Sequence, residues 1–252
     1  MATVLKTPGE IDLMDQANRI VHRVLDEVGQ RMLPGVKTRE LDRLAERVIR
    51  DAGGVPAFLN YRGYPATLCI SVNDVIVHGI PGEVPLQEGD IVGIDCGVFY
   101  KGYCGDAART FAVGTIDAEA QRLLRVTEES LHLGVAQVKP GGRLADIGWA
   151  VQRHAESHGY SVVREFTGHG VGTSLHEDPQ VPNFGVPGKG PKLKPGMVLA
   201  IEPMVNAGAS GIKMDADGWT ARTEDGSLSA HFEFSVAVTA SGARVLGTDR
   251  IQ

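Results

Sequence analysis

Two acids close together in the chain set the chemistry. In Ile91–Thr110, IVGIDCGVFYKGYCGDAART, an apolar run ends on Asp95, a turn follows at Lys101-Gly102, and the chain returns through Asp106. Strand side chains alternate in face, so an 11-residue separation puts the two acids on opposite faces of one straight strand. A hairpin centred between Tyr100 and Lys101 instead predicts that Asp95 and Asp106 pair directly, with Cβ atoms about 5 Å apart. Carboxylates that close repel. No Lys or Arg stands at the obvious positions, and a metal ion is the simplest partner.

Two further acids lie in apolar strands, Glu202 in MVLAIEPM and Glu233 in HFEFSVAV. An unpaired buried charge costs several kcal/mol, so each needs a partner. One such acid alone reads equally well as an edge-strand residue or half of a salt bridge; four together point to one site. His169 stands between Gly168 and Gly170, where backbone and ligand can approach closely. Four carboxylates and one imidazole suit two divalent ions sharing bridging carboxylates, about 3.5–4 Å apart, a pair able to clamp a hydroxide nucleophile and polarise a carbonyl. Hard oxygens with one nitrogen favour Mn, Fe, Co or Zn over Mg or Ca.

Other residues stay open at this level. His78 precedes Gly79-Ile80-Pro81, and His176 follows the glycine-rich segment in Ser174–Pro179. Each reads either as a site residue or as a loop histidine without a role. His22, His132, His154, His158 and His231 read as helix-face or strand-surface residues. Phe58, Tyr61 and Tyr64 form an aromatic cluster that fits a core or a pocket, and Trp219 stands apart.

The elements that must position these groups follow from capping and periodicity. Thr7-Pro8-Gly9-Glu10 is a helix start with a capping box. A helical stripe runs from Ile11 to Met32 and ends at Pro34-Gly35. A second helix opens at Thr38 and stops at Gly53-Gly54. Strands are expected at Thr67–Val72, Val75–His78, the Asp95/Asp106 hairpin, Ser161–Phe166, Val198–Val205, Gly218–Thr223 and Ser229–Thr239. Asp117 caps a long helix to about Val138, and another runs from about Leu144 to His158. Phe184 to Pro195 reads as a surface loop. The chain also repeats itself. Pro34-Gly35 to Gly53 recurs as Pro140-Gly141 to Gly159 at an offset of 106. Leu86–Asp95 recurs as Leu193–Glu202 at an offset of 107, which places Asp95 and Glu202 at equivalent points.

Composition bounds the rest. The 252 residues suit one large domain or two small ones, and the net charge of −6 argues mildly against a nucleic-acid surface. Glycine, 32 residues, is well above the usual ~7%, so tight turns and close backbone approaches are expected. Cys69, Cys96 and Cys104 form no CxxC pair, which fits a reducing compartment. The N-terminus lacks a secretory apolar region and no run nears the ~18 apolar residues of a membrane span; a cytoplasmic protein is expected.

Asp95, Asp106, His169, Glu202 and Glu233, in that order with those neighbours, resemble the five ligands of the methionine aminopeptidases, in particular the short bacterial type I form. The resemblance covers nearly the whole chain. It rests on Cys69–Asn73, His78–Pro81, Asp95–Gly97, Gly168–Gly172 and Ile201–Met204 taken together. The sequence as read, starting at Met1 and with no long insertion in the second half, leads us to expect the short form without the zinc-finger extension or insertion of the eukaryotic type I and type II forms. The resemblance implies an α+β pita-bread fold, a duplicated α/β unit with pseudo-two-fold symmetry around a curved antiparallel sheet. It implies a single catalytic domain over 1–252, with halves of about 1–110 and 111–252.

By that resemblance Asp106, His169, Glu202 and Glu233 hold one divalent ion. Asp95 holds the other, with Asp106 and Glu233 bridging. Glu202 also accepts a proton from the attacking water, His176 stabilises the oxyanion, and His78 hydrogen-bonds the substrate amide. Tyr61, Tyr64, Cys69 and Trp219 match the methionine pocket, and Asn73, Val75 and Ser229 match a monovalent cation site for Na or K. Leu175 stands where many bacterial members carry Phe, and Phe58 where a smaller residue is common; both fall on the pocket wall. The implied substrates are N-termini of nascent polypeptides with a small second residue, met near the ribosomal exit tunnel by a monomer, with no DNA or membrane partner. A proline-specific aminopeptidase or dipeptidase of the same fold and a non-catalytic peptide-binding relative are the competing readings.

Overall fold

The computed structural model describes residues 3–248. Four helices, α1 (Pro8–Gly29), α2 (Thr38–Asp51), α3 (Ala118–Val135) and α4 (Leu144–Ser157), cover strands that pair antiparallel throughout the described residues. The capping box at α1 is formed: the Glu10 amide donates to Thr7 Oγ1 and the Thr7 amide to Glu10 Oε2. α3 stops three residues before Val138, because its last turn tightens into i→i+3 bonds ahead of Pro140.

One core joins α1 and α2 to the strands of the first half through Val21, Leu25, Leu41, Ile49, Ile94 and Val98. A second joins α3 and α4 to the strands of the later half through Leu123, Leu131, Ile147, Leu199 and Val236. The repeat extends to single residues. The Lys37↔Pro85 bridge recurs as Arg143↔Lys192. The left-handed glycines Gly35, Gly53 and Gly89 recur as Gly141, Gly159 and Gly196. Leu193 is therefore buried, and the expected surface loop is tied down at its end.

The hairpin departs from the expected register. Ile91–Tyr100 and Tyr103–Ala112 pair with Tyr100 opposite Tyr103, so Asp95 faces Ala108 and Asp106 faces Gly97. The two acids are diagonal neighbours on one face, not direct partners. The cause is the turn: Lys101 (φ 50) and Gly102 (φ 84) are both left-handed and form a two-residue loop centred between them. Val198–Val205 is interrupted after Ile201, since Pro203 has no amide to continue the ladder. Ser229–Thr239 is likewise broken at Phe232-Glu233. Ser161–Phe166 and Gly218–Thr223 shorten to Ser161–Val162 and Ala221–Thr223.

α1 lies directly on the hairpin at Gly105, where an added Cβ would come within 2.6 Å of the Ala17 and Asn18 backbone. Asn18 Oδ1 accepts the Asp106 amide at 3.2 Å. Gly105→Ala is therefore expected to lower stability by about 1–3 kcal/mol through overpacking, measured as a lower urea midpoint at unchanged slope. An unshifted midpoint would show that α1 can move off the strand freely.

Candidate active site and metal centre

The interruptions in the strands are where the acids sit. Glu202 follows Ile201 at one break, and its carbonyl accepts Asn183 Nδ2 at 2.9 Å. Glu233 sits at the other, and its amide crosses to Ala108 O at 2.9 Å. Ser235 Oγ donates to Asp106 O at 2.8 Å, and Thr110 Oγ1 both donates to His231 O and accepts from its amide. The first-half hairpin is thus stitched to the later strands on either side of Glu233.

One cavity opens onto Asp95, Asp106, His169, Glu202 and Glu233, together with His78, His176, Phe58, Tyr61, Tyr64, Cys69, Leu175 and Trp219. Asp106, His169 and Glu233 each present a ligand atom, all within 4.8 Å of one another. His169 Nε2 lies 3.5 Å from Glu202 Oε1 and 3.7 Å from Asp106 Oδ2. His169 Nδ1 is 2.9 Å from Gly170 O, an acceptor only, so Nδ1 carries the proton and Nε2 turns its lone pair on the acids. Asp95 Oδ1, Asp106 Oδ1 and Glu233 Oε1 are buried and accept no hydrogen bond. Arg62, at the rim, is the one lysine or arginine among the described residues that line the cavity. Orphaned oxygens facing an imidazole lone pair are the donor set a divalent cation requires, so these residues fit a metal centre.

His231 is the residue that sequence reading misplaced. It is buried rather than on a strand surface; its Nε2 lies 3.6 Å from Glu202 Oε2 and has no hydrogen-bond partner. The one signal in the letters was its position two residues before Glu233, at the end of the short strand Ser229–His231. Val77, Phe166, Thr167 and Met204 also line the cavity and carried no comparable signal.

Phe58, Tyr64, Cys69 and Leu175 are buried in one apolar cluster, with Tyr61 and Trp219 packed against it. Phe58 fits because Gly97 has no Cβ; one there would meet the Phe58 ring at 2.6 Å. His78 sits in left-handed backbone (φ 61) and packs edge-on against Phe166, ring centroids 5.3 Å apart. The loop bearing His176 is anchored by Lys6, whose Nζ lies 2.5 Å from Glu177 Oε2 in a nearly buried pair. Asn73, Val75 and Ser229 stand outside this cavity; the Ser229 amide donates to Asn73 O at 2.9 Å.

A duplicated helix-on-sheet frame with acids gathered at its seam is the pita-bread architecture of metal-dependent peptidases. Residues 12–240 match the model of metallopeptidase family M24, and the chain belongs to that family. It is 51% identical over 243 residues to the methionine aminopeptidase of Clostridium perfringens, covering 96% of this chain and 98% of that protein. Identity and coverage are the same for methionine aminopeptidase 1 of Bacillus subtilis. The crystal structure of the Thermotoga maritima methionine aminopeptidase superposes with a TM-score of 0.97 at 44% identity, covering 98% of this chain and all of that one. The Pyrococcus furiosus prolidase, at 23% identity and a TM-score of 0.81, shares the fold. Use of divalent metal follows from the family and the Asp106–His169–Glu233 group. Among the described residues no helix is long and apolar enough to cross a membrane.

Without metal, burial pushes Asp95 up to about 7 and Glu202 up to about 8, and holds Asp106 and Glu233 well above the carboxylate range. Burial drives the imidazoles the other way: His78 and His169 down to about 4, with His176 and His231 also lowered. The raised carboxylates favour the folded state at low pH, and the lowered imidazoles disfavour it there. These oppose each other between about pH 4 and 6.5. Above about pH 6.5 the unfolded histidines are neutral as well, and the folded chain holds the extra protons on its acids. Chelator-treated protein should therefore lose stability from pH 6.5 to 9, with added Mn or Co removing the decline. Urea midpoints across that range test this, and a flat profile without metal would mean the acids are not forced together.

Proposed function

We propose that the chain removes the N-terminal methionine from peptides and nascent proteins by metal-dependent hydrolysis, preferring a small second residue. The observation that carries this reading is a single cavity in which the acid–imidazole cluster adjoins His78, His176 and an apolar aromatic slot. Asp106, His169, Glu202 and Glu233 would hold one divalent ion, and Asp95 the other with Asp106 and Glu233 shared. Two such ions supply Lewis acidity toward a carbonyl and a water made acidic near neutral pH.

The chain's own side chains supply the rest. Glu202 takes the proton of the attacking water: its carboxylate stands at a strand break that opens onto the cavity, within reach of the His169 imidazole. His176 donates its Nε2–H to the oxygen that becomes negative in the tetrahedral state. His78 hydrogen-bonds the substrate amide. Tyr61, Tyr64, Cys69, Trp219, Phe58 and Leu175 enclose the thioether, which suits an apolar, polarisable-friendly slot. A monovalent cation near Asn73, Val75 and Ser229 belongs to the same reading, supported by the meeting of the Asn73 and Ser229 backbones. A cytoplasmic monomer working near the ribosome extends it on the resemblance alone.

Purified protein should cleave Met-Ala-Ser, lose activity to a chelator and regain it with Mn or Co; cleavage of Xaa-Pro substrates instead would establish the dipeptidase reading. Glu202→Gln and His169→Ala should abolish turnover with the fold retained, and near-normal rates in either would remove the site. His176→Ala should lower kcat by about 10²-fold, as for an oxyanion donor.

A further inference from the structure

His176 lies on an exposed loop, yet an oxyanion donor must present a proton on one particular nitrogen in one direction. The group that fixes both comes from the other half of the molecule. Tyr61 Oη is 2.9 Å from His176 Nδ1, across a separation of 115 residues. A phenol is a stronger proton donor than a neutral imidazole, and an imidazole nitrogen a stronger acceptor than a phenol oxygen. The bond is therefore O–H···Nδ1, which leaves the proton of the neutral ring on Nε2.

The approach is built, not incidental. Tyr61 opens a one-turn 3-10 segment, Tyr61–Gly63, between two left-handed residues, Asn60 (φ 67) and Arg62 (φ 49). Non-glycine residues in that region are uncommon and persist where the surroundings over-determine them. Here the Asn60 amide donates to Tyr64 O at 2.8 Å, and the single Tyr64 hydroxyl proton is shared between Gly79 O at 2.9 Å and Leu68 O at 3.0 Å. The turn is thus bolted to the start of the Leu68–Val72 strand and to the residue that follows His78. From it the rings form a column: the Arg62 guanidinium lies 5.4 Å from the Tyr61 centroid, Tyr61 lies 5.4 Å from the His176 ring at 30°, and His176 lies 4.2 Å from the His169 ring.

We propose that Tyr61 is a positioning residue for His176: its hydroxyl occupies Nδ1, orients the imidazole and keeps Nε2–H aimed into the cavity. This rests on the peptidase reading and adds a role to Tyr61 that a pocket wall does not have. Tyr61→Phe keeps the ring against the slot and deletes only the hydroxyl. In metal-free protein with labelled histidine, the His176 Nδ1 nitrogen resonance should read as an unprotonated, hydrogen-bonded acceptor and move toward the free-acceptor position in Tyr61→Phe. With metal restored, kcat for Met-Ala-Ser should fall about 10-fold, the worth of one hydrogen bond, with KM unchanged. A protonated Nδ1 in the unsubstituted protein, or a resonance that does not move, would overturn the proposal. So would a higher KM at unchanged kcat, which is the signature of a wall residue. The spectrum is read without turnover, so unsubstituted protein that shows the bond but cleaves no methionyl peptide would defeat the peptidase reading and leave the contact standing.

Discussion

Like charges forced into one small, poorly hydrated volume govern this molecule. A pair of carboxylates about 4 Å apart repels by about 4 kcal/mol at an effective dielectric of 20, and four acids converge here with no lysine among the cavity residues. The fold does not relieve that repulsion. It withholds relief, leaving oxygens of Asp95, Asp106 and Glu233 without donors. A backbone that imposes such an arrangement must be tied together on every side. The ties are visible: Asn18 on the Asp106 amide, Ser235 on its carbonyl, Ala108 on the Glu233 amide and Asn183 on the Glu202 carbonyl. A divalent cation is then as much a structural component as a chemical one.

The same ties explain why the strands break where they do. A carboxylate in an unbroken ladder alternates predictably between two faces, but its reach inward is fixed by the pleat. Glu202 and Glu233 leave the ladder, at a proline in one case and between two short strands in the other, and so reach the seam. His169 achieves a similar end on a three-residue strand flanked by glycines. An added Cβ at Gly168 or Gly170 would meet Ala200 O at 2.3 Å or Asp178 O at 2.4 Å.

Much of this was legible in the chain. Helix boundaries at Thr7–Glu10 and Asp117 followed from capping chemistry, which is local, whereas α2 opens at Thr38 with no side-chain cap and the Thr38 hydroxyl turned to Gly82. The repeat was legible to the residue, since left-handed glycines and their bridges recur at the offsets read from the letters. The Asp95–Asp106 register was not, because the turn centre depends on whether Lys101 accepts a left-handed conformation, and a lysine gives no hint that it will. His231 was lost for a different reason: a histidine two residues from an acid looks like any other strand residue until the strand break that carries Glu202 folds against it. Contacts made across the seam have no local signature, and the site is made of such contacts.

The duplicated offset has one more implication. Asp95 and Glu202 occupy equivalent points, yet only the second half contributes an imidazole ligand candidate, His169, and the Tyr61 hydroxyl reaches His176 from the first. Neither half contains a complete set of functional groups. Asp106 comes from one and His169 and Glu233 from the other, so the two halves must be folded together before any cation is held.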